Sequence, residues 1–313
     1  MLSSTQQEPL WVENQNLDFA SGVYSVYLNK YKRSVRCTGF LGANVQGGSS
    51  SLTLAAGMGD CLYLDFPKGF FAVADGSDRH TSASREFMKM FSQMLIDKIS
   101  LSVGNCYTIE EINALKKQII IEADRLLVQY SFRDSCTFTG VFLLRTTEKI
   151  VAIFFHTGDS LLISCNLCNK TAWQVTTNNF WMVGRSQHFF QIEETPVDED
   201  TRFLLATDGI RDISPEPYNS QEELILRLFY TLETEAIPDH LSGMRRESPH
   251  GCDDLALIAI DPYSMPDQQE RFIIGGTSIN EERDFQEKKR QGQYQDNYIL
   301  HTFKGEDAIS FVL

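Results

Sequence analysis

Four short apolar runs, residues 137–144, 150–155, 161–165 and 172–175, follow one another with only turn-forming residues between them. Parallel neighbours need a crossover of a dozen or more residues, usually a helix, and these gaps cannot hold one. The block therefore predicts antiparallel strands. Two more strands, 62–66 and 69–74, flank a Pro67-Lys68 turn, and apolar runs at 203–206 and 255–260 add others; residues 18–41 offer an outer strand or two. Helical signals interrupt the strands. Phe87, Phe91, Leu95 and Ile99 recur every four residues. Thr108 with Glu111 forms a capping box ahead of the stripe Ile112, Leu115, Ile119, Ala123, Leu126 and Tyr130. A further helix is expected over 222–232. Strand runs broken by helices predict an α+β fold, an antiparallel β-sandwich with helices on its outer faces.

Composition narrows the function. The chain has 313 residues, 42% apolar and 22% charged, and a net charge of −14. It can bury a substantial core. Its acidity argues against nucleic acid and anionic membrane surfaces as partners. No run is long and apolar enough to span a bilayer, and MLSSTQQEPLWVENQ lacks the basic-then-apolar layout of a signal peptide. Seven cysteines, an odd number, fit a reducing, cytoplasmic compartment. Cys165 and Cys168 have CxxC spacing but no second pair, and Asn166, Asn169 and Lys170 mark a hairpin turn there rather than a zinc site.

The chemistry lies in acidic motifs at strand ends: Gly59-Asp60-Cys61, Ala74-Asp75-Gly76, Gly158-Asp159-Ser160 and Thr207-Asp208-Gly209, with Asp253-Asp254 opening the last core strand. Singly each is an ordinary turn. As a series they predict converging carboxylates. Two carboxylates about 4 Å apart repel by roughly 4 kcal/mol at an effective dielectric near 20. Proton sharing or divalent cations must relieve that repulsion. Oxygen ligands without histidine favour Mg²⁺ or Mn²⁺ over zinc, and two such ions can activate water for attack on phosphorus. Glycine at positions 76 and 209 would keep side chains from crowding the ions.

Over residues 55–262 these motifs resemble the type 2C metal-dependent protein phosphatases, the PPM family, in its bacterial form. Phe71-Ala72-Val73-Ala74-Asp75-Gly76 is similar to the family's Asp-Gly strand and Ser135-Cys136-Thr137 to its small-residue strand start. Thr157-Gly158-Asp159-Ser160 matches its Gly-Asp-Ser. Thr207-Asp208-Gly209-Ile210-Arg211-Asp212 resembles its Ser-Asp-Gly-hydrophobic-x-Asp element, and Gly251-Cys252-Asp253-Asp254 its terminal Asp-Asn strand. The resemblance implies a four-layer αββα sandwich and a serine/threonine phosphatase acting on phosphoproteins in signalling. It implies Asp60, Asp75, Asp208 and Asp253 as the catalytic carboxylates. Asp75, Asp208 and Asp253 would hold one metal; Asp60, Asp75 and the Gly76 carbonyl a second; Asp159, Asp208 and Asp212 a third.

The chain also departs from the family. Ser77-Asp78-Arg79-His80 stands where Met-Gly-Gly-His is common, and residues 52–59 lack the phosphate-binding arginine. Arg79 is the expected substitute. His80 and His156 lie beside the motifs as possible acids toward a leaving group. Two alternatives stay open: a catalytically impaired phosphatase-like binding or regulatory module, and an unrelated metal hydrolase of small phosphoesters. The expected division is a phosphatase-like domain over 1–262 and, where composition turns polar, an appendage over 263–313 with a helix across 280–291. The motifs specify neither the substrate nor the oligomeric state.

Overall fold

A computed structural model describes residues 12–14, 23–28, 37–42, 45–46, 59–77, 81–101, 105–130, 135–246, 251–264, 271–291 and 309–311. The first strands are β1 (Val12–Asn14), β2 (Val23–Leu28), β3 (Cys37–Gly42), β4 (Val45–Gln46), β5 (Asp60–Asp65) and β6 (Phe70–Asp75). Two helices follow, α1 (Ala83–Lys98) and α2 (Ile109–Tyr130), then β7 (Phe138–Arg145), β8 (Ile150–Thr157), β9 (Leu161–Asn166), β10 (Thr171–Gln174), β11 (Gln191–Thr195) and β12 (Thr201–Ala206). After a 3₁₀ turn (Asp208–Asp212) come α3 (Gln221–Thr231), α4 (Ile237–Arg246), β13 (Gly251–Cys252), β14 (Leu255–Ile260), β15 (Arg271–Gly275), α5 (Ile279–Arg290) and β16 (Ile309–Phe311).

Period-2 side-chain alternation builds two sheets with two apolar faces each. In β14, Leu255, Leu257 and Ala259 face α3 and α4, whereas Ala256, Ile258 and Ile260 face the opposite sheet. In β6, Phe70, Ala72 and Ala74 pack under α1 and α2 while Phe71 and Val73 face inward. One sheet has the order β1-β2-β3-β14-β12-β9-β10, the other β11-β8-β7-β6-β5-β15-β16. Every pairing among them is antiparallel. The result is the four-layer arrangement, helix pair, sheet, sheet, helix pair, that the sequence predicts.

Local signals translate directly. The capping box of α2 closes both ways: Glu111 N–H donates to Thr108 Oγ1 at 3.2 Å, and Thr108 N–H to Glu111 Oε2 at 2.7 Å. The helix-side core of the second sheet is an aromatic stack, with Phe70 and Phe142 centroids 4.3 Å apart and Phe91 and Phe138 at 4.8 Å. Gly140 leaves room for it, since a Cβ there would lie 2.5 Å from the Phe70 ring.

Three elements differ from the sequence reading. β11 is a half-exposed edge strand beside β8, so it lacks an apolar run. The polar α4 went unpredicted. The stretch after Pro262 supplies a sheet strand: β15 pairs with β5, Phe272 opposite Leu64 and Ile274 opposite Leu62, with Phe272, Ile273 and Ile274 all buried. The expected polar helix follows as α5. Cys165 is buried and Cys168 exposed, both free thiols, in a hairpin turned by Lys170 at φ 54°.

Candidate functional site

The alternation that fills the space between the sheets also aims the acids. Leu62 and Leu64 face that space, so Asp60, on the same parity, does too; Phe71 and Val73 set the same direction for Asp75. The β5–β6 register places Asp60 directly opposite Asp75. On the other sheet Thr207 continues the parity of Phe203 and Leu205, and Asp254 that of Ala256 and Ile258. The apolar layer thus ends, at one edge of the sandwich, in four polar side chains from two sheets.

Backbone turns add the remaining carboxylates. Gly158 leaves β8 at φ +103°, where a Cβ would meet the Thr137 side chain at 2.6 Å, and delivers Asp159. Asp208 opens the 3₁₀ turn after β12. Ligand oxygens of Asp75, Asp159 and Asp208 all lie within 4.8 Å of one another. Asp253 and Asp212 stand beside them, Asp253 N–H donating to Asp212 Oδ2 at 2.8 Å. Gly76 is bridged to Cys136, and its N–H donates to the Gly59 carbonyl at 2.9 Å. Arg79 and His80 lie outside the described residues, as does the 52–58 stretch.

The hydrogen bonds explain the small residues of the motifs. Asp60 Oδ2 accepts from Thr207 Oγ1 at 2.5 Å and from Ala256 N–H at 2.9 Å. Asp75 N–H donates to Thr137 Oγ1 at 3.0 Å, and that hydroxyl shares a 2.6 Å hydrogen bond with Ser160. The serine of Gly-Asp-Ser therefore props the strand end carrying Asp75. Gly209 is required by the neighbouring backbone, because a Cβ there would lie 2.0 Å from the Asp254 carbonyl oxygen. That differs from the expectation of space left for ions.

Two contributors were not on the sequence-based set. Asp254 is buried; its Oδ2 accepts from Gly59 N–H at 2.7 Å. Arg245, fully buried, donates to the Asp253 carbonyl and fixes the turn between β13 and β14. The Asp-Asp pair hinted at the first; the second carries no local signal.

Electrostatically the centre is short of positive charge. Burial, reinforced by Asp254, pushes the Asp60 carboxyl well above its usual range, against the pull of the Thr207 hydroxyl. Burial and then Asp60 and Asp208 do the same to Asp75. Asp208 is pushed up to about 6 by burial, Asp159 and Asp253, with Arg211 pulling the other way. His156 is a neutral, enclosed ring. It is fully buried between Thr139 Oγ1 at 2.8 Å and the Thr177 carbonyl at 3.0 Å, and burial lowers it to about 4, which keeps the ring neutral. Beside the acids, burial raises the Cys136 thiol and lifts that of Cys61 to about 12.

The loop between β10 and β11 forms the rim. Asn179 N–H donates to the Gly158 carbonyl at 2.9 Å, and its side-chain oxygen accepts from Gly158 N–H at 3.0 Å. Phe180, next along, is fully exposed.

Known structures superpose on this arrangement. The catalytic domain of the serine/threonine protein phosphatase PstP, in complex with two manganese ions, matches at 15% identity and a TM-score of 0.50, over 72% of this chain and 97% of that one. A bacterial serine phosphatase matches at 16% identity and a TM-score of 0.50, over 72% and 98%. The chain has the type 2C phosphatase fold. The likeness is one of structure: no protein-family model matches the sequence, and no curated protein matches it significantly. In this type 2C fold the acidic edge is where β5, β6, β12 and β14 end together, so the motifs recognisable in sequence are those that the sheets bring to one place. No helix among the described residues is long and apolar enough to cross a membrane.

Proposed function

We propose that the acidic edge holds two hard divalent cations, Mg²⁺ or Mn²⁺, and that the protein is a metal-dependent phosphatase of phosphoserine or phosphothreonine in protein substrates. The observation that carries the reading is the convergence of Asp75, Asp159 and Asp208 within 4.8 Å, in surroundings that push Asp208 up to about 6. Such a cluster costs free energy until cations occupy it, and an all-carboxylate donor set fits hard ions. Asp75, Asp208 and Asp253 would hold one ion; Asp60, Asp75 and the Gly76 carbonyl the second; Asp159 and Asp212, with Asp208, a weaker third. When bound, the ions supply Lewis acidity and a lowered water pKa.

The chain's own residues do the positioning. Thr207 and the Ala256 N–H orient Asp60, and Thr137 and Ser160 fix the Asp75 backbone, so little reorganisation is needed when substrate arrives. Cys61 and Cys136, the cysteines beside Asp60 and Asp75 in β5 and before β7, are buried and protonated, which supports direct attack by water over a covalent enzyme intermediate. The PstP complex with two manganese ions supports the metal assignment by analogy of fold.

A second reading, a phosphatase-like module without turnover, is favoured by one feature: residues 52–59 contain no arginine. The test is hydrolysis of p-nitrophenyl phosphate and a phosphothreonine peptide with Mn²⁺, for the intact protein and Asp208→Asn. Metal-dependent turnover that collapses in the variant is expected. Mn²⁺ binding without turnover would transfer the assignment to the silent module.

A further inference from the structure

The type 2C reading leaves the substrate's phosphate without an arginine in residues 52–59, and the structure places a different arginine beside the acids. Arg211 sits in the 3₁₀ turn between Asp208 and Asp212. Its Nη2 donates to the Asp159 carbonyl at 3.0 Å and to Asn178 Oδ1 at 2.7 Å. Its Nη1 and Nε make no hydrogen bond among the described residues, and the side chain is exposed. Asn178 is steadied in turn, its Oδ1 also accepting from Gln174 Nε2 at 3.0 Å. One nitrogen of the guanidinium is therefore tied to the loop bearing Asp159 and to the rim, while Nη1 and Nε keep their hydrogens undonated among the described residues.

We propose that Arg211 is the phosphate-binding cation of this site, its charge and its undonated Nη1 hydrogens meeting a phosphate monoester dianion while the Asp159 carbonyl and Asn178 hold the guanidinium through Nη2. Three observations support it. The guanidinium's charge registers at Asp208, which puts it within electrostatic reach of the acidic cluster. A guanidinium already held through Nη2 loses less side-chain freedom when its remaining donors meet an anion. The tether also explains the shape of the rim, because Arg211 crosses from the 3₁₀ turn to the β10–β11 loop and joins both to Asp159. The inference rests on the phosphatase reading, but its own content is the placement of one residue.

Direct binding of inorganic phosphate to the Mn²⁺-loaded protein, measured by titration calorimetry, separates the two. The intact protein is expected to bind phosphate, Arg211→Ala to bind it about 10- to 100-fold more weakly, and Arg211→Lys to fall between. Asn178→Ala, which keeps the cation and removes its tether, is expected to weaken phosphate by a few-fold. Mn²⁺ affinity should be unchanged or tighter in Arg211→Ala, because a positive charge beside the acids has been removed; general damage to the site would weaken it. Equal phosphate affinity in Arg211→Ala, or no phosphate binding by the intact Mn²⁺-loaded protein, would overturn the proposal. Arginine-dependent phosphate binding without hydrolysis of any phosphoester would leave Arg211 in place and overturn the phosphatase reading instead.

Discussion

Neutralising one carboxylate of the acidic edge should stabilise the metal-free protein while abolishing its response to metal. Ionised oxygens 4.8 Å apart, the outer limit for Asp75, Asp159 and Asp208, repel by about 3.5 kcal/mol per pair at an effective dielectric near 20. The displacement of Asp208 from 3.8 to about 6 gives an independent figure. Roughly two pH units at 1.36 kcal/mol each is about 3 kcal/mol, arising from burial first and from Asp159 and Asp253 after it. The folded state holds this proton more tightly than the unfolded one, so the folded protein binds more protons between the two pKa values. Stability is thus lost as pH rises from about 4 to 6, and the loss is complete above that window. Asp208→Asn removes the titration. In chelator-treated protein, urea unfolding at pH 8 should show the variant more stable by up to about 3 kcal/mol, with the difference shrinking through pH 6 and vanishing near pH 4. Mn²⁺ should invert the order. The intact protein gains about 4.1 kcal/mol at a free concentration about one thousand times its dissociation constant, and the variant gains far less. A variant less stable than the intact protein at pH 8 without metal, or a difference constant from pH 4 to 8, would refute the electrostatic argument.

Three further outcomes follow from named contacts. His156, held neutral with its pKa lowered to about 4, binds its proton more weakly folded than unfolded; its contribution is intact above pH 6.5 and declines by about 3 kcal/mol as pH falls to 4. Acid unfolding of His156→Gln should lack that component whatever its stability at neutral pH. Gly209→Ala drives a methyl group to 2.0 Å from the Asp254 carbonyl oxygen, where backbone must move. A loss of about 2 kcal/mol or more is expected, with weaker Mn²⁺ binding by calorimetry, and a variant matching the intact protein in both would contradict the packing described. Thr207→Val strips a hydroxyl from Asp60 and from Ala256 N–H, at 2.5 Å and 2.9 Å. It should cost about 1–3 kcal/mol in thermal or urea unfolding, and Thr207→Ser should restore most of it.

Much of the site was legible because its geometry follows from alternation. Once β5, β6, β12 and β14 are recognised as strands, Asp60, Asp75, Thr207 and Asp254 fall on the inward parity without further information, and the Gly-Asp-Ser turn brings Asp159 to the same end. His156 illustrates the limit. Next to Thr157 and Gly158 it looks available for proton transfer, yet the strand pairing opposite Thr139 and the Thr177 carbonyl bury it and hold it neutral.

The sequence alone determined the elements whose signals are local: the capping box at Thr108 and Glu111, the helical stripes of α1 and α2, the antiparallel hairpins, and the acids at strand ends. Tertiary structure alone decided what depends on partners far along the chain. Phe272–Ile274 became a core strand because β5, some two hundred residues earlier, offered an open edge to pair with. Arg245 was buried because the Asp253 carbonyl needed a donor. Arg211 was turned toward Asn178 and Asp159 because the β10–β11 loop folds back over the acidic edge. Hydrophobic period is a property of neighbours in sequence, whereas a hydrogen-bond partner or a neighbouring charge is a property of neighbours in space.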